Sequence, residues 1–168
     1  ASPTGRPPPR PPRRIPSRLR RCLLTFAHVG TELRRRAEFQ TIEAADGLEA
    51  VQKTEELQPD LILLDINLPK LHGFEVAKQI PSLAPHAKLL FMSQESLSDI
   101  VRKALSLGAD GYIQKLSAAT DLLPAIDAVL AGQRFVSSSL AFTKPADVPA
   151  PRRHEILFCS DDAAVVDG

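Results

Sequence analysis

Short, wholly apolar runs alternate with amphipathic stretches along the middle of this chain, and the alternation begins abruptly at Phe39. Phe39–Ala44 (FQTIEA) predicts a strand. Asp46 then predicts the cap of a helix running to about Leu57, with Glu49 three residues on to complete a capping box. Leu48, Val51 and Leu57 give that helix an apolar side, and Gln58-Pro59 stops it. Residues 60–65 (DLILLD) form a continuous apolar run bounded by acids, the pattern of a central parallel strand covered on both faces. Phe74–Ile80 predicts a short helix broken around Pro81 and Pro85, and Lys88–Ser93 (KLLFMS) a second buried strand. Ser96 or Ser98 is suited to cap the next helix, which turns Ile100, Val101, Ala104 and Leu105 inward and ends before Gly108. Gly111–Lys115 (GYIQK) predicts a strand. Ala119–Ala131 predicts a last helix with Leu122, Leu123, Ile126, Val129 and Leu130 on its apolar side, Pro124 fitting only near its first turn.

Strands and helices in alternation imply βαβ units and a parallel sheet, an α/β architecture. Ligands of such sheets bind beyond the carboxyl ends of the strands. That rule singles out Asp65, Ser93 and Lys115, each at the end of a different strand. A carboxylate, a hydroxyl and an ammonium at neighbouring strand ends suit phosphoryl acceptance. The carboxylate is a nucleophile that forms an acyl phosphate, the hydroxyl hydrogen-bonds a phosphoryl oxygen, and the ammonium balances its charge. Phosphoryl transfer of this kind calls for a divalent metal, and magnesium favours an octahedron of carboxylate, carbonyl and water oxygens.

Composition narrows the alternatives. Seven arginines and no acid lie within residues 1–21, and the rest of the chain is net acidic, which argues against DNA binding by the folded part. Residues 1–20 are rich in Pro and Arg and read as a disordered tail, either merely solvated or serving an anionic or proline-recognising partner. Cys22 and Cys159 have neither CxxC nor Cys/His ligand spacing, so neither a disulfide framework nor zinc is indicated. His28, His72, His86 and His154 share no ligand spacing. No apolar run is long enough to span a membrane and no secretory signal follows the arginines, so the expected location is cytoplasmic. No GxGxxG or GxxxxGK[ST] is found, so a nucleotide-binding enzyme is disfavoured and no enzyme activity is assigned.

The strings LILLDINLPKLHGFE, LLFMS and GADGYIQK resemble the receiver domain of two-component response regulators, over about Phe39 to Leu140. ADGLEAV and GQRFVSSSL resemble the NarL-type branch, which usually adds a LuxR-type helix-turn-helix; none is read in these residues. The resemblance implies a flavodoxin-like (βα)5 fold with phosphorelay signalling from a sensor histidine kinase. Asp65 falls on the phosphoacceptor, Asn67 on the position whose backbone carbonyl meets the metal, and Pro69 and Gly73 on loop-shaping positions. Ser93 falls on the switch hydroxyl, Tyr112 on the switch aromatic and Lys115 on the characteristic lysine. Read without the family, Tyr112 is equally well a packed, half-buried tyrosine. The resemblance also implies signalling, and homodimerisation, through the last two helices.

One end departs from that pattern. A receiver opens with an apolar strand ending in two adjacent acids that hold the metal. The candidate here is Arg21–Val29 (RCLLTFAHV), with no acids at its end, so the first strand is expected to be degenerate or missing. Glu32, Glu38 and Glu43 are the acids nearby, none at a strand end. Magnesium is thus expected to bind weakly through Asp65 and Asn67, and a phosphorylation-defective pseudo-receiver acting as an interaction module is the alternative function. The expected division is a tail over 1–20, a receiver over 21–136, a linker over 137–153, and over 154–168 the start of a truncated second segment. Asp161 and Asp162 in that last segment could replace the missing acids if the strand order were permuted. The start at Ala1 rather than Met suggests a fragment, and the abrupt appearance of the domain pattern between His28 and Phe39, after text dominated by Pro, Arg and Ala, points to residues 1 to about 28 being a mistranslated or recombined segment.

Overall fold

The computed structural model describes residues 20–25, 33–36 and 38–140. Within them lie β1 (Arg20–Leu24), β2 (Phe39–Glu43), α1 (Gly47–Leu57), β3 (Leu61–Leu64), α2 (Gly73–Leu83), β4 (Lys88–Ser93), α3 (Ser98–Ser106), β5 (Gly111–Gln114), a 3-10 turn at Lys115–Ser117, α4 (Ala118–Leu130) and β6 (Phe135–Val136). The strands form one parallel sheet in the order β2-β1-β3-β4-β5-β6. This is the expected flavodoxin-like arrangement, with a short sixth strand added at one edge.

The first strand is present, which corrects the expectation of a missing one. It begins at Arg20 and ends at Leu24, five residues before the boundary expected from RCLLTFAHV. It lies inside the sheet, pairing Leu23 with Ile42 on one side and with Ile62 on the other. Cys22, Leu23 and Leu24 are all fully buried, so three consecutive apolar residues satisfy both faces of a central strand. Arg21 anchors its start: its amide donates to Asp60 Oδ2 at 2.8 Å and its guanidinium to the Leu57 carbonyl at 2.6 Å. The structural motive for regarding the early residues as foreign, a sheet lacking its first strand, therefore falls away.

The two faces of the sheet are covered separately. Leu23, Ile62, Leu64, Leu89, Phe91 and Tyr112 meet residues of α1, α2 and α3 on one side. Leu24, Leu61, Leu63, Leu90, Met92 and Ile113 meet α4 and Leu33 on the other. In α1 the buried positions are Gly47, Ala50 and Thr54; of the expected apolar side, Val51 packs against the core while Leu48 is exposed. Gly47 lies close against the loop after β3: a Cβ there would lie 2.0 Å from the Leu71 carbonyl oxygen. The capping box forms, Asp46 accepting from the Glu49 amide at 2.9 Å and Glu49 reaching back to the Ala45 amide at 2.6 Å.

Both helix-internal prolines correct the sequence reading. α2 runs through Pro81 to Leu83, and α4 starts early enough to place Pro124 in its interior. Both prolines are exposed, so the carbonyl that each deprives of a donor can be hydrated. α3 is capped by Leu97 without a side-chain bond, so neither Ser96 nor Ser98 is its cap. Ser137 and Leu140 are buried, which carries the packed body to at least Leu140, past the expected start of the linker. Residues 154–168, with Asp161, Asp162, His154 and Cys159, and most of the N-terminal tail lie outside the described residues.

Candidate functional site

Asp65 follows the last residue of β3, Ser93 ends β4, and Lys115 follows β5, so the parallel register brings all three to one edge of the sheet. Lys115 Nζ lies 2.7 Å from Asp65 Oδ2. Asp65 is 9% exposed, so this ion pair is largely withdrawn from water and its charges interact strongly. The other carboxylate oxygen accepts the Asn67 amide at 3.2 Å, which curls the chain back over Asp65 immediately after the strand. Ser93 is fully buried on the adjoining strand and accepts the Glu95 amide at 3.2 Å.

The loop after β3 is tightly fixed. Gly73, the first residue of α2, packs so close that a Cβ would sit 2.0 Å from the Asp65 carbonyl oxygen, and its amide donates to the Ile66 carbonyl at 2.8 Å. The Pro69 carbonyl accepts from Gly47 at 3.1 Å and from Leu71 at 2.7 Å, tying the loop to the start of α1. Lys70 adopts a positive φ of 62° and pairs with Asp46, holding the Asp46 carboxyl below its usual range. His72, unremarkable in the sequence, caps α2 by accepting the Phe74 amide on Nδ1 at 3.3 Å. His86 is an exposed loop residue.

Tyr112 is fully buried and donates its hydroxyl to the Glu95 carbonyl at 2.9 Å. Burial pushes its phenol up to about 12, and a hydrogen bond with Ser93 opposes part of that rise. Its ring is the end of an aromatic row, 6.4 Å from Phe91, which stands edge-on 5.6 Å from Phe74. Tyr112 is thus neither half-buried nor idle: it latches the β4–α3 loop beside Ser93.

Thr25, next after β1, was not singled out by the sequence. Its hydroxyl accepts the Asp65 amide at 2.8 Å and donates to the Leu63 carbonyl at 3.2 Å. No carboxylate of the chain immediately following β1 joins this edge: residues 25–31 read TFAHVGT. Glu43 pairs with Arg34 at 2.7 Å and Glu38 with Arg36 at 3.3 Å, and Glu32 and His28 are outside the described residues. Among the described residues no three His, Cys, Asp or Glu side chains come together to hold a metal. Cys22 is buried in the core and its thiol is pushed up by that burial.

An open parallel sheet with helices on both faces, presenting Asp, Ser and Lys at adjacent strand ends, defines a receiver-type α/β module. The family model for the response regulator receiver domain matches residues 25–127, and the chain belongs to that family. It is 36% identical over 109 residues to the transcriptional activator protein ExaE of Pseudomonas putida, covering 65% of this chain and 50% of that protein. It is 34% identical over 110 residues to the nitrate/nitrite response regulator protein NarL of Escherichia coli K12, covering 66% and 51%. The chain thus spans about half the length of the curated relatives it matches. Among solved structures it is similar to a LuxR-family two-component response regulator from Aurantimonas, with TM-score 0.65, 32% identity, and 73% and 92% of the two chains covered. The receiver domain of the NarL regulator from Mycobacterium tuberculosis gives TM-score 0.63 at 27% identity, covering 69% and 99%. Receiver domains are signalling modules that interact with histidine kinases and typically bind Mg2+. No helix among the described residues is long and apolar enough to cross a membrane.

Proposed function

We propose that this chain is the receiver of a phosphorelay and that Asp65 accepts the phosphoryl group from a sensor histidine kinase. The observation that carries the reading is the largely buried Asp65 carboxylate paired with Lys115 at 2.7 Å, with the buried Ser93 hydroxyl on the next strand. In the transfer an Asp65 oxygen forms a bond to phosphorus, the bond from phosphorus to the donor imidazole nitrogen breaks, and that nitrogen keeps the electron pair. Lys115 balances the charge of the acyl phosphate, and Ser93 donates its hydroxyl to a phosphoryl oxygen. Tyr112 reports the change at Ser93, because both engage Glu95.

Magnesium does not fit the residues present. Asp65 is already paired with Lys115, the residue after β1 is the uncharged Thr25, and no three His, Cys, Asp or Glu side chains come together among the described residues. Asn67 could add a backbone carbonyl, which leaves the cation short of anionic oxygen ligands. No step is therefore routed through a metal. The same Thr25 favours a second reading, a pseudo-receiver that binds partners without phosphotransfer. In either case we place the protein in the cytoplasm, without an enzymatic turnover of its own, with a homodimer through α3 and α4 as the expected assembly and no DNA contact by this chain alone.

Incubation with acetyl phosphate followed by intact-mass measurement tests the main reading. The parent is expected to gain one phosphoryl group and Asp65→Asn none. Equal labelling of the two would overturn the assignment of Asp65, and no labelling of either would leave the pseudo-receiver as the better account.

A further inference from the structure

The site holds one polar group that neither the family pattern nor the phosphoryl chemistry uses, and it stands against the phosphoacceptor. Thr25 is half-buried after β1 and makes two bonds across to β3: it accepts from the Asp65 amide at 2.8 Å and donates to the Leu63 carbonyl at 3.2 Å. The Thr25 amide reaches the same Leu63 carbonyl at 3.2 Å. The hydroxyl therefore has one donor and one acceptor partner, and it fixes the end of β1 to the backbone on which Asp65 is mounted.

The group at this place brings no charge of its own to the phosphoacceptor. Lys115 pairs with Asp65 at 2.7 Å, so the phosphoacceptor carboxylate already has a cationic partner. A divalent cation entering there would have to displace the Lys115 ammonium from Oδ2 or bind beside it, against like-charge repulsion. Each arrangement leaves it a carboxylate that is already shared with Lys115.

We propose that Thr25 is the residue that decides cation binding at this site: it positions Asp65 through the backbone as a neutral strand-end group, leaving Lys115 as the counter-ion in place of a divalent metal. An aspartate at 25 keeps an oxygen within reach of the Asp65 amide and adds a second carboxylate beside the first. That change adds one negative charge at the end of β1. The inference deepens the reading of Asp65 as phosphoacceptor, but it concerns cation affinity and can fail while that reading stands.

The test is a Mn2+ titration of the full chain followed by electron paramagnetic resonance, which counts free ion and needs no phosphorylation. Thr25→Asp is expected to bind one Mn2+ at least about tenfold more tightly than the parent, equivalent to about 1.4 kcal/mol. Thr25→Asp combined with Asp65→Asn is expected to lose that gain. Thr25→Ser, which retains the hydroxyl, is expected to bind as weakly as the parent. Parent binding as tight as that of Thr25→Asp, and lost in Asp65→Asn, would overturn the proposal. So would a folded Thr25→Asp that binds no better than the parent. Should Thr25→Asp fail to fold by circular dichroism, Thr25→Asn decides instead: it keeps a polar oxygen without adding charge, and a tenfold gain from it would refute the electrostatic account.

Discussion

Substituting Gly73 by alanine tests the packing that sets Asp65 in place. The added Cβ would lie 2.0 Å from the Asp65 carbonyl oxygen, 2.8 Å from Ile66 Cα and 2.9 Å from the Asp65 carbonyl carbon. All three are backbone atoms, so no rotamer change relieves the contact. The start of α2 must retreat until the closest approach exceeds 3.0 Å. Overpacking of this kind costs roughly 1–3 kcal/mol. The retreat also strains the hydrogen bond from the Gly73 amide to Ile66, worth about 1 kcal/mol net. Together these lower the melting temperature by roughly 10 °C for a domain of this size. Gly132→Ala is the control. Gly132 has φ +81° but open space around its Cβ position, so only the left-handed backbone cost of about 1 kcal/mol applies. Paired thermal melts of the parent and both variants read the difference. The reasoning fails if Gly73→Ala melts within about 2 °C of the parent, or no lower than Gly132→Ala.

Two further expectations follow from the site. Tyr112 has its phenol raised to about 12 against an ordinary value near 10, so its protonated form is favoured by folding. The stability this supplies is complete below pH about 10 and is lost as pH rises through about 12. Urea unfolding across that window should therefore show the parent losing stability faster than Tyr112→Phe, by up to about 2 kcal/mol, and parallel curves would refute the burial of an ionisable hydroxyl there. Asp46→Ala removes both the cap of α1 and the partner of Lys70, and should cost about 1 kcal/mol in the same unfolding experiment at pH 7. An unchanged midpoint would mean that the loop after β3 is held by its backbone contacts alone.

The site was legible in the sequence where a strand carried its chemistry at its own end. Leu61–Leu64 and the run from Leu89 to Met92 are wholly apolar and lead directly into Asp65 and Ser93, so the strand, its burial and its polar terminus are one local signal. Thr25 carried no such signal, because its meaning lies in contacts with Leu63 and Asp65, about 40 residues away in the chain. β1 was misjudged for a related reason: its pairing with two neighbours, not its own length, gives it a place in the sheet. The prolines misled because whether a helix survives one depends on which side faces solvent, and that is decided by tertiary packing. β6, with two residues, is too short for any periodicity to show; only its pairing with Gly111 and Tyr112 defines it.

The position of β1 also distinguishes two ways of drawing the limits of this domain. Similarity to the family begins at Thr25, the residue after the strand has ended. Main-chain bonds carry β1, and its side chains need only be apolar, so sequence there is free to drift while geometry is kept. A protein trimmed to the matched residues would nevertheless be divided. β2 is joined to the rest of the sheet through β1 alone, so it would become a detached ribbon. Leu23 and Leu24 would vanish from opposite faces, removing roughly 3–6 kcal/mol of burial. At the other end the cut at 127 would discard the close of α4, β6 and the buried Leu140. For expression, crystallisation or fusion, the cuts belong outside both β1 and the buried Leu140.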